Sequence, residues 1–284
     1  MCIMKITKHE GKSYFSGWAG LELYFEEHRP DGTPKASVVL VHGYAQHSGW
    51  LAPLTERLVE GGFSVFAFDL RGHGRSEGIR GDVVHFSDHV RDITTFVDYV
   101  REQSDGRKVF VVAQSLGASA SAYYASTGKA EIDGLVLLGL YVKDAGEYAR
   151  WKHIFGRMLA PFFPLVPIQH LESERVALDP GVGEAYRNDP LIYLGGVRIR
   201  MGVHFMDMEK YLENVPGSVR IPLLVVHGKE DGLASIDGCR SFYNKAASAD
   251  KQFIEVENSG HDVVRDYSAK TVIEDVLRWL DEHL

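Results

Sequence analysis

Short apolar runs alternate with amphipathic stretches along most of the chain. Six of these runs predict strands, and a continuous one such as 37–41 is typical of a strand buried on both faces of a sheet. Between them, apolar residues recur at helical spacing, as in Leu51, Leu54 and Leu58. Such an alternation predicts an α/β fold with a mostly parallel central sheet and helices on both faces. The predicted strands lie at 37–41, 63–68, 108–114, 132–138, 221–226 and 252–256.

Two regions depart from this pattern. Near the N-terminus, alternating segments at 13–18 and 21–27 flank Ala19 and Gly20 and predict a hairpin. Between Leu140 and Phe205 the strand–helix alternation is lost for about 65 residues, which is too long for a simple connection. We therefore expect an inserted cap at 140–205 and a core made of 1–139 and 206–284.

Composition and charge restrict the partners of the chain. Its 284 residues are 45% hydrophobic and 25% charged, which is ordinary for a globular protein. The formal net charge of −8 argues against a nucleic-acid-binding surface. Cys2 and Cys239 form neither a disulfide framework nor a metal-ligand pattern. We therefore expect no metal site. The N-terminus shows no secretory signal and no apolar run is long enough to cross a bilayer, so we expect a cytoplasmic protein.

One strand–turn–helix segment carries a candidate nucleophile. The apolar run that ends at Gln114 leads directly into Ser115, Leu116 and Gly117, which open an alanine-rich helix. This context is typical of a nucleophile elbow, G-x-S-x-G, although Ala113 replaces the first glycine. Taken alone, Ser115 could also be a serine in an ordinary β–α turn.

The groups that would activate such a serine follow two later strands. A serine hydroxyl needs a general base that is itself oriented by an acid, and parallel sheets gather such groups at the carboxyl ends of their strands. Asp231 follows the run at 221–226, and His261 follows the run at 252–256. The order Ser115, Asp231, His261 is that of the α/β-hydrolase triad. It predicts attack by Ser115 on an ester carbonyl, proton transfer by His261, and orientation of the imidazole by Asp231.

Other residues compete for these roles or complete them. Glu230 and Asp262 are weaker candidates for the acid, since each is the immediate neighbour of a preferred triad member. The oxyanion would need preorganised donors, and the backbone N–H groups of Leu116 and Tyr44 are the best candidates. For His42 and His73, which lie in glycine-flanked turns, we expect structural roles.

Six short segments of the chain form a recognisable set. They are HGY at 42–44, DLRGHGRSEG at 69–78, AQSLG at 113–117, NDPLIY at 188–193, HGKED at 227–231 and GH at 260–261. Together they resemble the monoacylglycerol lipase/lysophospholipase branch of the α/β-hydrolase superfamily (serine aminopeptidase S33 type), from about residue 12 to the end of the chain. The resemblance implies a Ser-Asp-His ester hydrolase that needs no cofactor and has a cap above an acyl-binding cleft.

The expected substrate is a carboxylic ester, with monoacylglycerols and lysophospholipids first. The cap is rich in aromatic and apolar residues, which either pack on the core or form an acyl pocket that could touch a membrane surface transiently. Other acyl or aryl esters, thioesters, and a catalytically silent binding protein are the alternatives. Gln46 stands where mammalian relatives carry an acidic residue, so the specificity is open. The residues expected to contact substrate are Tyr44, Gln46, Trp151, Phe155 and Leu159.

Overall fold

The computed structural model describes residues 4–146, 150–170 and 172–284, without the side chains of residues 150–153. Its strands and α-helices alternate along most of the chain, as the sequence predicts. In chain order they are β1 (Ile6–His9), β2 (Lys12–Ser16), β3 (Glu22–His28), β4 (Ser37–Val41), α1 (Ala52–Glu60), β5 (Ser64–Phe68), α2 (Ser87–Gln103), β6 (Val109–Gln114), α3 (Leu116–Ser126), β7 (Gly134–Leu138), α4 (Arg150–Leu159), β8 (Pro167–Gln169), α5 (Pro180–Asn188), β9 (Val197–Arg198), α6 (Ile199–Asn214), β10 (Leu223–Gly228), α7 (Ile236–Lys245), β11 (Lys251–Val256) and α8 (Ala269–Glu282).

Nine strands of the described residues form one sheet, in the order β1-β2-β3-β5-β4-β6-β7-β10-β11. The pairs from β1 to β5 are antiparallel, and all pairs from β5 to β11 are parallel. All six strands predicted from apolar runs are present, each within two residues of its predicted bounds. The carboxyl ends of β4, β6, β10 and β11 therefore meet at one edge of the sheet.

The sheet lies between two apolar layers, because successive side chains of a strand point to opposite faces. Val39 of β4 joins the layer that contains Phe96 of α2. Its neighbour Val38 joins the other layer, with Leu54 of α1 and Val276 of α8. All five side chains are essentially inaccessible to solvent. Burial of each stabilises the fold by roughly 1.5–3 kcal/mol relative to exposure, so both layers hold the strand ends rigidly.

The segment predicted as a cap contains α4, α5, the first part of α6 and a small antiparallel pair of β8 and β9. Its division from the core stays a prediction, and the proposed boundary between 205 and 206 falls inside the continuous helix α6. Among the described residues, no helix combines the length and the apolar character needed to cross a bilayer. Two residues of this segment, Phe155 and Leu159, line a cavity together with Ser115 and His261.

Candidate active site

Ser115 sits on a strained turn between β6 and α3. Its backbone angles, φ 52° and ψ −116°, lie in a region that side-chain-bearing residues rarely adopt. Helix α3 passes very close to β4 here: a Cβ at Gly117 would come within 2.4 Å of the carbonyl oxygen of His42. Ala113, which replaces the first glycine of the motif, is buried in β6 and pairs in register with Val41 and Leu137. The turn therefore tolerates this alanine while requiring the glycine after Ser115.

Ser115, His261 and Asp231 form a continuous hydrogen-bonded chain. The Ser115 hydroxyl donates to His261 Nε2 over 2.7 Å, and His261 Nδ1–H donates to Asp231 Oδ2 over 2.7 Å. The other carboxylate oxygen, Asp231 Oδ1, accepts the backbone N–H groups of Leu233 and Ala234 at 2.8 and 2.9 Å. The carboxylate is thus held from behind while it faces the imidazole.

Asp231 and His261 stabilise each other's charged forms. Burial lowers the pKa of His261, but the Asp231 carboxylate and its hydrogen bond outweigh burial and leave that pKa above its ordinary value. Burial raises the pKa of Asp231, but His261 outweighs this and leaves the pKa of the carboxyl below its ordinary value. Neutral His261 beside ionised Asp231 can accept a proton from Ser115, which is what a general base must do.

The two rival acids point elsewhere. Glu230 Oε2 accepts the backbone N–H of Ser259 at 3.2 Å, and Asp262 Oδ2 accepts the indole N–H of Trp50 at 2.6 Å. Neither carboxylate contacts His261 Nδ1, whose partner is Asp231. The geometry therefore favours Asp231 as the acid.

His227 is a neighbour of the site that the sequence did not reveal. Its Nε2 lies 3.2 Å from Asp231 Oδ2 and donates to the carbonyl oxygen of Ala234 at 3.2 Å. Burial lowers the pKa of His227, so the ring supplies a neutral N–H next to the carboxylate. The sequence signal for this role is the position of His227 near the end of a buried strand and four residues before Asp231, in the segment HGKED.

The two expected oxyanion donors belong to two segments next to Ser115, the start of α3 and the loop after β4. Leu116 is the first residue of α3, where backbone N–H groups have no partner within the helix. Tyr44 lies in the segment 42–47 after β4, called the β4 loop below. A Cβ at Gly43 would come within 3.0 Å of Ser115 Cβ, so this loop passes directly beside the nucleophile. The Tyr44 phenol donates to the carbonyl oxygens of Gly81 and Gly196 at 2.9 and 3.3 Å.

The segment NDPLIY packs against the β4 loop. Asp189 Oδ2 lies 2.9 Å from His47 Nε2, and the Tyr193 N–H donates to the carbonyl oxygen of Ala45 at 2.8 Å. Burial raises the pKa of Asp189, but the Leu191 N–H and His47 outweigh it and leave that pKa below its ordinary value. This part of the predicted cap is thus fastened to the loop beside the nucleophile.

His42 and His73 take the structural roles expected for them. His42 Nδ1–H donates to the Gly43 carbonyl oxygen at 2.7 Å, and its Nε2 accepts the Leu70 N–H at 2.8 Å. His73 Nδ1–H donates to the Arg71 carbonyl oxygen at 2.9 Å. Both rings are inaccessible to solvent, and burial lowers the pKa of each to about 3. Both therefore stay neutral over the whole range in which an ester hydrolase would work.

These two histidines make the fold sensitive to acid. In the unfolded chain they protonate near pH 6.5, whereas in the folded protein they stay neutral to about pH 3. Between those values the unfolded chain binds more protons, so the free energy of unfolding falls as the pH falls. Each group adds up to about 1.4 kcal/mol per pH unit. We expect calorimetric melting temperatures to drop from pH 7 to pH 4.5, with a shallower slope in His73→Gln.

The matched control for this slope is the exposed His85. The variant His85→Gln should keep the wild-type slope, because its side chain is exposed to solvent in the folded chain as it is in the unfolded chain. A His73→Gln slope equal to that of the wild type would contradict the assignment.

A cavity of about 370 Å³ opens onto Ser115 and His261. Tyr44, Gln46, Phe155 and Leu159 line it as expected, whereas the side chain of Trp151 lies outside the described residues. Both polar ends of Gln46 are engaged by protein: its Oε1 accepts the Gly43 N–H at 2.9 Å and its Nε2 donates to Asp262 Oδ2 at 3.5 Å. The wall is mostly apolar; its other apolar members include Ile168, Val197, Phe205 and Met206.

Two acidic side chains, Asp144 and Glu209, also line the cavity, and burial raises the pKa of both. The described lining contains no lysine or arginine. Among the described residues, no group of three or more histidine, cysteine or acidic side chains is arranged to hold a metal ion. The site thus combines a hydrogen-bonded serine, two candidate N–H donors beside it, and a mostly apolar cavity that two acidic side chains also line.

Comparison with known proteins gives consistent results. The family profile Hydrolase_4, described as serine aminopeptidase S33, matches residues 32–268. The chain is 29% identical to a monoacylglycerol lipase of Mycolicibacterium smegmatis over 279 residues, 98% of this chain and 100% of that protein. It is 27% identical to the monoglyceride lipase of Homo sapiens over 266 residues, 93% of this chain and 88% of that protein. The crystal structure of Paleococcus ferrophilus monoacylglycerol lipase matches with a TM-score of 0.83 at 26% identity, covering 93% of this chain and 100% of that chain.

Proposed function

The chain belongs to the serine aminopeptidase S33 (Hydrolase_4) family of α/β-hydrolases, and from this premise we propose that it hydrolyses monoacylglycerols through an acyl-enzyme on Ser115. It is a carboxylic ester hydrolase of the monoacylglycerol lipase-like type. The observation that carries the proposed mechanism is the hydrogen-bonded chain Ser115–His261–Asp231, which opens onto an apolar cavity.

The chemistry follows from the positions of these groups. Ser115 Oγ attacks the ester carbonyl while His261 Nε2 takes its proton, and Asp231 stabilises the imidazolium that forms. The N–H groups of Leu116 and Tyr44 receive the negative charge on the carbonyl oxygen. Collapse of this intermediate breaks the C–O bond, and the proton on His261 goes to the leaving glycerol oxygen. A water then attacks the acyl carbon as His261 takes its proton; the bond between this carbon and Ser115 Oγ breaks, the proton on His261 returns to Ser115 Oγ, and the fatty acid leaves.

The purified protein tests this proposal directly. A fluorophosphonate probe should label Ser115, and among glycerol esters, aryl esters and thioesters of one acyl chain the glycerol ester should have the highest kcat/KM. Preference for the aryl ester or the thioester would favour another acyl substrate. Absence of both labelling and turnover would indicate a binding protein that has lost catalysis.

The charge of the cavity separates the two substrate classes that the sequence left open. An anionic lysophospholipid would bring a phosphate next to Asp144 and Glu209, with no basic side chain among the described lining residues to offset it. The glycerol of a monoacylglycerol can instead donate hydrogen bonds to these carboxyl groups. We therefore place neutral glycerol esters ahead of anionic lysophospholipids.

Removing the two acidic groups should weaken this preference. Like charges about 4 Å apart repel by roughly 1 kcal/mol in water-like surroundings, about fivefold in rate per group. The double variant Asp144→Asn/Glu209→Gln should raise kcat/KM for lysophosphatidylglycerol by about five- to twentyfold relative to monoacylglycerol of the same chain length. Asp105→Asn, an exposed acid in a distant turn, is the matched control and should change neither value. An unchanged ratio in the double variant would argue against electrostatic selection.

The cap supports a second, peripheral proposal, contact with a lipid surface. Several of its apolar side chains are exposed, including Ile154, Met158, Phe163 and Phe162, the last of which is 77% accessible. Exposed apolar side chains near a site mouth are typical of proteins that sit on membranes. We expect Phe162→Ser/Phe163→Ser to reduce sedimentation with phosphatidylcholine vesicles at least fivefold, while hydrolysis of a water-soluble ester is unchanged. Equal sedimentation of the double variant and the wild type would contradict this contact.

A further inference from the structure

A buried chain of polar side chains joins the β4 loop to the loop that carries His261. At one end, the Gly43 N–H donates to Gln46 Oε1 at 2.9 Å. Gln46 Nε2 reaches Asp262 Oδ2 at 3.5 Å. Asp262 directly follows His261, and its own N–H donates to the carbonyl oxygen of Val176 at 2.8 Å. The β4 loop and the loop that carries His261 are therefore connected through two side chains.

Asp262 is held firmly in this position. Trp50 Nε1–H donates to its Oδ2 at 2.6 Å, and the Trp50 ring lies under the guanidinium of Arg265 at 4.0 Å. Arg265 Nε also donates to the Trp50 carbonyl oxygen at 2.8 Å. The carboxyl is inaccessible to solvent, and Gln114 contributes a further side-chain hydrogen bond to it. Burying a carboxyl costs stability unless its partners compensate, so several side chains are committed to keeping Asp262 in this place.

The peptide between Gly43 and Tyr44 shows what the chain holds in place. Its carbonyl oxygen accepts His42 Nδ1–H at 2.7 Å and the Gln46 N–H at 3.3 Å. Because a trans peptide is planar, the Tyr44 N–H must point opposite to that carbonyl. Gln46 thus contacts this short stretch twice, at the Gly43 N–H through its side chain and at the Gly43 carbonyl through its backbone. The direction of the proposed oxyanion donor depends on these contacts.

We propose that Gln46 and Asp262 are positioning residues that aim the Tyr44 N–H at the reacting carbonyl and hold that loop in register with His261. The inference rests on the proposed function of the site. Gln46 acts through the Gly43 peptide, and Asp262 acts through Gln46 and through its covalent neighbour His261. Neither side chain takes part in proton transfer.

Asp262 has a second effect, on the base. Its negative charge raises the pKa of His261, adding to the larger contribution of Asp231. Burial raises the pKa of Asp262 itself, and the Trp50 hydrogen bond and the Arg265 charge offset part of this. The other titratable or charged groups that face this pair are Asp231, His227, Arg175 and Tyr186. A pH profile can therefore separate an electrostatic role of Asp262 from loss of folding.

The experiment compares Gln46→Met, Asp262→Asn and the double variant on p-nitrophenyl butyrate. A donor displaced by even a fraction of an ångström costs about ten- to a hundredfold in rate. We expect each single variant to lose that much in kcat with KM within about twofold. Because both act through one chain of contacts, the double variant should be no worse than the more damaged single variant. Asp262→Asn should also move the acidic limb of the kcat/KM profile to lower pH, whereas Gln46→Met should leave it unchanged.

Ser104→Ala is the matched control. It removes a buried hydrogen bond of 2.7 Å to Ser37 at the amino end of β4, away from the site, and should leave kcat unchanged. Folded variants that keep kcat within twofold, or losses that multiply in the double variant, would overturn the inference. If Asp262→Asn does not fold, the kcat of Gln46→Met compared with that of Ser104→Ala decides the positioning role. If the wild type cleaves no ester, the proposed function fails, and the rate of fluorophosphonate labelling of Ser115 in the variants still decides the positioning role.

Discussion

The variant Ser115→Ala is expected to lose about 10⁴-fold or more in kcat on any ester that the wild type cleaves, because no other group can form the acyl-enzyme. KM should change little, since the cavity wall and the two flanking N–H groups remain. The strained backbone of the turn also remains, so the variant should fold with wild-type stability. Hydrolysis of p-nitrophenyl butyrate measures kcat and KM. Titration with a fluorophosphonate probe shows whether the nucleophile has been lost.

A second serine on the same helix supplies the control. Ser121 lies in α3, is fully buried and has no side-chain hydrogen-bond partner among the described residues. Ser121→Ala should therefore be labelled and turn over like the wild type. Labelling of Ser115→Ala at a wild-type rate would assign the nucleophile to another residue.

The variant Asp231→Asn is expected to lower kcat by about 10³- to 10⁴-fold, because His261 loses the partner that holds its tautomer. The native carboxylate accepts on both oxygens: from His261 on Oδ2 and from the N–H groups of Leu233 and Ala234 on Oδ1. An asparagine amide must turn its NH₂ toward one of these donors. Turned toward the imidazole, it forces the proton onto Nε2, where it blocks acceptance from Ser115.

The pH profile of the same variant gives an independent test. His261 must be neutral to act as a base, and its pKa is raised above 6.5. Wild-type kcat/KM should therefore fall as the pH is lowered through a midpoint above 6.5. Without the Asp231 charge the pKa of His261 drops, so the residual activity should persist to lower pH. A limb that stays in place would mean that Asp231 does not set the basicity of His261.

Much of this fold could be predicted because most of its inner strands are short runs of apolar residues. The inner parallel strands β4, β5, β6, β7 and β10 are buried on both faces, so most of their residues are apolar, whereas β11 at the sheet edge is only partly buried and contains Glu255. Strand β1 escaped prediction for the opposite reason. Ile6–His9 lies at the sheet edge, mostly exposed, and its residues carry no apolar run. Its position depends on pairing with β2, which a local pattern cannot express.

The candidate triad was predictable for a topological reason. Parallel strands deliver the residues that follow them to one edge of the sheet, so Ser115, Asp231 and His261 could be placed together before any distance was known. The choice among three acids was harder, since it depends on side-chain direction. Only the structure shows that Asp262 turns toward Trp50 rather than toward the imidazole.

Contacts between the loops, and contacts with the predicted cap, could not be predicted from the sequence. Gln46 reaches Asp262 across 216 positions of the chain, and His47 reaches Asp189 across 142. No period or local motif relates residues so far apart. The extent of the cap was equally hard to place, because α6 continues through the predicted boundary without a break.

The turn at Ser115 has a consequence for anyone who engineers this protein. A residue with a side chain held at φ 52° lowers stability by roughly 1–3 kcal/mol, and glycine would relax that conformation. Selection for heat resistance alone would therefore favour Ser115→Gly, which removes the proposed nucleophile and with it the activity. Directed evolution for thermostability needs an activity screen in every round. Its safest targets are the outer surfaces of α1 and α8, on the sheet face opposite α3.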